Sequence, residues 1–262
     1  MIQGYGIALV CALLASCWAA YRHLKSRIAL PFDTFSSIVS GAIIVGVIGG
    51  RFAHLITEKE RYSSFLDCLA IWQGGLSIAG AIIAVCIYVP YTLKKRSIPL
   101  FPAIDIAAIY MALAHAIGRL GCLWAGCCFG CQAFNKLPTS WLAVQYHGHT
   151  AGAPTGILLH PAQLYSTISF LCLGALLYFV YTSSNVPLKK PGTIVLLYLI
   201  GTSLERFMLD FVRDDRIMGV LPLFSVHQWI ALAIGTSASL GLLFVYRSFL
   251  SPGFIRHLSE NQ

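Results

Sequence analysis

The stretch Ala103-Ile-Asp105-Ile-Ala-Ala-Ile-Tyr-Met-Ala-Leu-Ala-His115-Ala-Ile-Gly118-Arg119-Leu-Gly-Cys122-Leu-Trp-Ala125 decides the fold. It matches the ~20 residues an α-helix needs to cross a hydrocarbon core, and nearly all of it is apolar. An arginine inside such a helix is expensive, so it faces a polar cavity or a partner rather than lipid. His115 and Arg119 are four residues apart, which places them on one helical face. The run continues as Gly126-Cys127-Cys128-Phe-Gly130, adding thiols, and its glycines allow backbone or ligand to approach closely. A polar group held in apolar surroundings is expected here.

Working outward, the whole chain has the same character. Of its 262 residues, 57% are hydrophobic and 11% charged, and the mean hydropathy is +0.74. These values lie in the membrane range, and spanning segments can be marked at about 5–21, 37–56, 70–93, 103–125, 160–181, 192–210 and 224–246. The expected fold is all-α: a polytopic membrane protein of seven transmembrane helices forming a single domain over 1–262. The first segment lacks a basic flank before Arg22 and is taken as a retained helix rather than a signal peptide.

The connections set the orientation. Arg22, Lys25, Arg27, Lys94, Lys95, Arg96, Lys189, Lys190, Arg247 and Arg256 all fall on one side. On the other side Lys59, Arg61, Lys136, Arg213 and Arg216 are offset by Glu58, Glu60, Asp67, Asp214 and Asp215. The positive-inside rule then puts the N-terminus outside and the C-terminus in the cytoplasm. The net charge of +8 reflects that bias and attraction to anionic lipid. It is no nucleic-acid patch, because no basic cluster with interleaved aromatics occurs. No soluble domain or nucleotide motif is present. The longest connection, about 126–159, forms a small outer-face element between helices four and five.

Polar residues recur toward the outer ends. Tyr5 is either an interfacial anchor or a hydroxyl aimed at a headgroup. Arg51, in Gly49-Gly50-Arg51-Phe52, either snorkels or binds a ligand. In Trp72-Gln73-Gly74-Gly75-Leu-Ser77 the small residues suit close helix packing, whereas Gln73 is costly in hydrocarbon and is expected to face the interior. His160 precedes Pro161, which fits a first helical position, so His160 is either a cap or part of an anion site at that helix N-terminus. Arg206, Asp210 and Arg213 recur on one helical face, as a structural ion triad or as a phosphate clamp in which Asp210 orients Arg206. Arg51, Arg119, Arg206, His160 and the glycine-rich turns are expected to converge on the outer half, where an anionic lipid headgroup enters sideways. The cysteine group Cys122, Cys127, Cys128 and Cys131 admits a disulfide, plain packing, or a metal or reactive-thiol site. Its spacing matches no zinc pattern closely, and neither a metal nor another cofactor is assigned.

Together, Tyr5-Gly6, Gly49-Gly50-Arg51-Phe52, Trp72-Gln73-Gly74-Gly75-Leu-Ser77, Gly118-Arg119-Leu-Gly121, Leu159-His160-Pro161-Ala-Gln163-Leu-Tyr165 and Glu205-Arg206-Phe207-x2-Asp210-Phe-x-Arg213 occur in the same order as in bacterial prolipoprotein diacylglyceryl transferases, which the chain resembles over nearly its whole length. The resemblance implies a transferase of the bacterial cytoplasmic membrane. Such an enzyme moves a diacylglyceryl group from phosphatidylglycerol to the cysteine thiol of a lipoprotein precursor and releases glycerol phosphate. It implies that Arg119 and Arg206 hold the phosphate, that Tyr5 serves the headgroup, and that Asp210 and Arg213 orient Arg206. Arg51, Gln73, Gly75, Gly118, Gly126, His160, Gln163 and Tyr165 are expected to line the substrate site. The chain departs from the family pattern at Ala79, where the family has a histidine, and at Cys122, Ala125 and Cys127, where it has Asn, Asn and Glu. His115, one turn before Arg119, is placed to act as the base instead. The acceptor is then a lipoprotein cysteine or another group, or the chain is a lipid-binding relative without chemistry.

Overall fold

The computed structural model describes residues 2–59, 74–133, 143–147, 150–183, 190–214, 216–218 and 223–247, with side chains from Gly6 onward. Gln73 and the Tyr5 side chain lie outside this set. The elements are α1 (Ile2–Ile28), α2 (Phe32–Thr57), α3 (Ile78–Lys95), α4 (Leu100–Ala125), β1 (Val144–Gln145), β2 (Leu158–Leu159), α5 (Ala162–Thr182), α6 (Thr193–Leu209) and α7 (Val226–Tyr246). Among the described residues six helices are long and apolar enough to cross a membrane: all but α6, which has 17 residues. Large apolar side chains point outward, Trp124, Phe244 and Ile78 being more than two-thirds exposed. A water-soluble domain does not carry such a surface; a lipid-facing one does.

The chain divides into two compact units, Tyr21–Ala103 and the combination of Met1–Ala20 with Ile104–Gln262. The first is built on α2 and α3, which approach through small residues. A methyl group on Gly80 would lie 2.5 Å from the Gly49 carbonyl oxygen and 2.3 Å from the Ala53 Cβ, so only glycine allows this backbone contact. In lipid, where apolar surface alone does not drive association, close van der Waals packing holds helices together. The Arg96 guanidinium donates to Ser37 Oγ at 2.8 Å where α3 ends beside the start of α2.

One expectation fails here. Residues 74–77, expected inside the third helix, are not helical. Gly74 and Gly75 take left-handed φ values of 84° and 79°, which helix does not tolerate, and Ser77 caps the helix by accepting from the Gly80 amide.

In the larger unit, Ala108 and Ile109 of α4, Leu177 and Val180 of α5 and Ile194 of α6 form a buried apolar cluster. Thr167 Oγ1 of α5 donates to the Ala116 carbonyl of α4 at 3.4 Å. Asp105 is buried where α6 begins: its carboxylate accepts from the Gly192 amide at 2.7 Å and the Val195 amide at 2.9 Å. It thereby satisfies donors that a helix start leaves unpaired and sets a negative charge at the positive end of the helix dipole. Beside it, Lys190 Nζ donates to the Val245 carbonyl and Thr193 shares a hydrogen bond with Tyr246. These contacts tie the start of α6 to the end of α7. The small element of the long connection is an antiparallel pair, Val144 opposite Leu159 and Gln145 opposite Leu158.

Candidate active site

The site is built where three connections meet. Helix α4 ends at Ala125, and the chain turns through Gly126 (φ 68°) and Cys128 (φ 60°). A non-glycine residue in the left-handed region is uncommon and persists only when its surroundings hold it. They do so here. The Cys127 amide donates to the Cys122 carbonyl at 3.1 Å, and the buried Gln163 side chain donates through Nε2 to the Cys127 carbonyl at 2.6 Å. Gly130 and His160 pair as adjacent strands do: the Gly130 amide donates to the His160 carbonyl (2.9 Å) and the His160 amide to the Cys131 carbonyl (3.0 Å). From the other side the Cys131 amide donates to the Val212 carbonyl at 2.7 Å, next to the Gly130–Arg213 bridge. A Cβ on Gly130 would lie 2.8 Å from both the Cβ and the carbonyl oxygen of His160. The turn thus acquires its shape from α5 and from the segment after α6.

This turn brings thiols together. The sulfur atoms of Cys122, Cys127 and Cys128 lie within 4.8 Å of one another, and all three residues are half-buried free thiols. The neighbouring Cys122 and Cys127 thiols and the charge of Arg213 beside it hold the Cys128 thiol well below the usual range. Cys127, tied to the other two sulfurs, is shifted upward. Cys131 is also a free thiol, buried in the turn, so none of the four forms a disulfide in this structure. Among the described residues this trio is the group with the geometry to hold a metal ion.

Just before α5, His160 is fully buried, with Nδ1 3.1 Å from the Tyr165 hydroxyl and Nε2 lacking a partner among the described residues. Gln163 Nε2 also reaches the Tyr146 hydroxyl at 3.2 Å, while its Oε1 is buried without a partner among the described residues. Pro161 is the N-cap rather than the first helical residue, and no side chain caps this helix. His160 therefore fastens the cysteine turn rather than capping α5.

At the end of α6, Arg206 pairs with the buried carboxylate of Asp210 at 3.3 Å. Arg216 is a further cation on Asp210, at 3.6 Å. Ser225 Oγ donates to the same carboxylate, and Gln228 forms a capping box with Ser225 while donating to the Phe207 carbonyl. The single-face reading of Arg206, Asp210 and Arg213 is corrected by the helix boundary. Helix α6 stops at Leu209, so Arg213 leaves that face and runs alongside Gly130, toward Cys128. Arg206 keeps 23% of its side chain exposed, and a guanidinium held on one edge by a carboxylate is oriented for an anion on another.

On α4, His115 packs against Phe170 with ring centres 4.7 Å apart, and its Nδ1 lies 3.2 Å from the Tyr198 hydroxyl. The Arg119 charge acts on both His115 and Cys122, so the three form a line along this helix. A side chain at Gly118 would meet nothing within 4 Å, which leaves open space beside Arg119. At Gly126, by contrast, a Cβ would lie 2.9 Å from Thr150, so that glycine serves packing. Arg51 and Gly75 belong to the Tyr21–Ala103 unit. Arg51 is buried, and its Nη1 donates to the Gly74 and Gly75 carbonyls at 2.7 and 3.0 Å. It therefore does not snorkel; it holds the turn that leads into α3.

Residues 1–245 match the family profile described as prolipoprotein diacylglyceryl transferase. This chain belongs to that family. The phosphatidylglycerol–prolipoprotein diacylglyceryl transferase of Clostridium tetani is 31% identical over 232 residues, covering 88% of each chain. A protein of the same name from Dehalococcoides mccartyi is 30% identical over 94% of this chain and 90% of its own. The second enzyme of that name in Clostridium perfringens is 31% identical over 87% and 84%. Seen as a family member, the chain carries its Leu159–Tyr165 and Glu205–Arg213 diacylglyceryl transferase motifs in the larger unit, and Gly49–Phe52 and Gly74–Ser77 in the Tyr21–Ala103 unit. Reading the sequence did not find the Arg216–Asp210 pair, the Tyr198 hydroxyl on His115 or the Ser166–Glu205 hydrogen bond between α5 and α6. The Ser225-x2-Gln228 capping-box spacing is the one readable signal among these contacts.

Proposed function

We propose that the chain transfers a diacylglyceryl group from phosphatidylglycerol to the cysteine thiol of a lipoprotein precursor in the bacterial cytoplasmic membrane. In this reading it spans the membrane seven times, with α6 as a span, its N-terminus outside and its C-terminus inside. The observation that carries the reading is the Arg206–Asp210 pair in a chain belonging to the family throughout. Arg206 and Arg119 hold the phosphate. The acceptor sulfur attacks the glyceryl carbon that bears it, the C–O bond breaks, and the electron pair leaves on glycerol phosphate. Charge grows on that leaving group, where fixed guanidinium donors stabilise it most. Asp210 orients Arg206 and is itself anchored by Ser225 and Arg216. In the tautomer whose Nδ1–H donates to the Tyr198 hydroxyl oxygen, His115 keeps Nε2 as the proton acceptor. His160 and Gln163 position the turn that carries the thiols, and Arg213 runs to that turn.

The test uses purified protein in phosphatidylglycerol-containing detergent, a peptide bearing a lipobox cysteine, and mass spectrometry. The expected product is the peptide carrying one diacylglyceryl group, absent with Arg206→Ala. An unmodified peptide, beside a Clostridium tetani enzyme that modifies it, overturns this acceptor. Full turnover by a well-folded Arg206→Ala protein overturns the clamp.

A further inference from the structure

We propose that Cys122, Cys127 and Cys128 form a metal site with one open coordination position, and that the acceptor's cysteine thiol occupies it. The proposal rests on the transferase reading above for the identity of the acceptor; the metal site itself rests on geometry.

Three sulfur atoms within 4.8 Å of one another are close to the separation that sulfurs bound to one tetrahedral ion require. Neighbouring residues in an extended strand point to opposite sides, which would separate Cys127 from Cys128. The left-handed conformation of Cys128 (φ 60°) removes that alternation and turns both thiols toward the one supplied by the last turn of α4. The turn is also held from three directions: by Gln163 on the Cys127 carbonyl, by His160 on Gly130 and by Val212 on Cys131. The ligands are therefore arranged before any ion arrives. The donor set is entirely sulfur, which selects a thiophilic ion such as Zn(II) or Cu(I) over Mg(II) or Ca(II). A divalent ion with three thiolates carries a net negative charge, and Arg213 beside Cys128 balances it.

Structural zinc sites close with four protein ligands, whereas catalytic ones keep three and leave the fourth for water or substrate. Half-buried thiols on a turn at a helix end leave such an approach. The reaction proposed above alkylates a thiol, and a thiol that coordinates a metal ion is deprotonated. On binding, the acceptor's S–H bond breaks, the proton passes by way of water to His115 and a metal–sulfur bond forms. The bound thiolate then attacks the glyceryl carbon. The C–S bond forms as the C–O bond breaks, the phosphate leaves with the electron pair as glycerol phosphate, and the thioether dissociates from the metal. No oxidant or reductant is involved.

The experiment is a Cd(II) titration of the reduced full chain in detergent, read by sulfur-to-metal charge-transfer absorption and by X-ray absorption for the number of sulfur ligands. We expect one Cd(II) per chain with three sulfurs, loss of the band in Cys122→Ser and in Cys128→Ser, and no change in Cys172→Ser. Adding a lipobox peptide should raise the count to four sulfurs; a peptide with serine at that position should not. No stoichiometric Cd(II), or a band that survives both substitutions, overturns the site. A count that stays at three overturns the acceptor role, as does full transfer by chelator-treated protein free of metal. Four sulfurs without any diacylglyceryl product in the zinc-loaded protein sustains the site and overturns the transferase reading instead.

Discussion

Asp210 carries the heaviest electrostatic duty described above, and replacing it with asparagine separates charge from shape. The amide of Asp210→Asn would retain an oxygen for the Ser225 hydroxyl but present no charge to Arg206 at 3.3 Å or Arg216 at 3.6 Å. At an effective dielectric constant of about 20, each of these pairs has a Coulomb attraction of about 5 kcal/mol, much of it offset by desolvating the carboxylate. The carboxylate is 1% exposed and both guanidinium groups roughly a quarter exposed, so screening by solvent is incomplete. Removing one partner of a buried pair costs roughly 3–5 kcal/mol. Because asparagine keeps one hydrogen bond, the lower end, about 3 kcal/mol, is expected. For a chain of this size that corresponds to a Tm lower by about 6–12 °C. The assay is thermal unfolding in detergent, together with transfer kinetics at several phosphatidylglycerol concentrations. A released Arg206 should raise KM for the phospholipid as well as lower kcat. Adding Arg216→Gln to Asp210→Asn should recover part of the loss, since it removes a stranded cation; a coupling of about 0.5–3 kcal/mol is the usual range for groups in one network. Asp210→Asn melting within a degree of wild type, with an unchanged KM, would refute the argument.

Other substitutions test separate links. Gly130→Ala places a methyl 2.8 Å from the His160 backbone and side chain, so it should destabilise by about 1–3 kcal/mol and reduce transfer together; normal melting and activity would show that the contact yields freely. Gln163→Leu removes the 2.6 Å bond to the Cys127 carbonyl and leaves a buried acceptor unpaired, a loss of about 1–3 kcal/mol, read as faster alkylation of Cys127 by a thiol reagent; an unchanged alkylation rate would deny Gln163 its hold on the turn. Asp105→Ala uncaps α6 and should lower stability by about 0.5–2 kcal/mol with little effect on kcat; an equal fall in kcat would mean that this end of the molecule communicates with the site. Arg51→Lys cannot reproduce the contacts to Gly74 and Gly75, so hydrogen exchange at the Ser77 amide, bonded to the Gly50 carbonyl, should speed up by an order of magnitude for each ~1.4 kcal/mol lost; unchanged exchange would deny Arg51 its role in that turn.

The helices were legible wherever an apolar run ended at a strong signal. The ends of α4 and α7 fall within about two to three residues of the expected ones, because the Gly126 turn and the Ser225 cap punctuate the sequence. The start of α3 was placed too early. The apolar pattern runs through Gly74 and Gly75, and only their left-handed backbone shows where the helix cannot extend. The end of α6 was placed within a residue, yet Arg213 was read onto a helical face that the chain has already left. Periodicity carries a helical face forward, but it does not reveal that the chain turns after Asp210 and brings Arg216 back to that carboxylate. The cysteine group was visible, with a metal site among its readings, but the choice of Cys122, Cys127 and Cys128 as the trio was not, for a related reason. Its spacing resembles no zinc pattern because one ligand direction comes from the φ of Cys128, and that conformation is imposed by contacts from α5 and from residue 212. The motif residues were readable, and so was the Arg206–Asp210 pair; the hold of Gln163, His160 and Val212 on the cysteine turn was not.

The antiparallel stitching of the cysteine turn also constrains how the molecule is made. A membrane protein is inserted from its N-terminus as it is synthesised, and Val212, which accepts from the Cys131 amide, emerges about 80 residues after Cys131. At roughly 5–20 residues per second, the thiols wait about 4–16 s before the carbonyl that helps fix their turn exists. During that interval four cysteines lie within ten consecutive residues of chain that has not yet taken its final shape, and the proposed orientation puts them on the side facing an oxidising compartment. Assembly of this protein is therefore a race between the arrival of α6 and premature sulfur–sulfur bonding. The yield of reduced, correctly folded chain should rise when oxidation during synthesis is slowed.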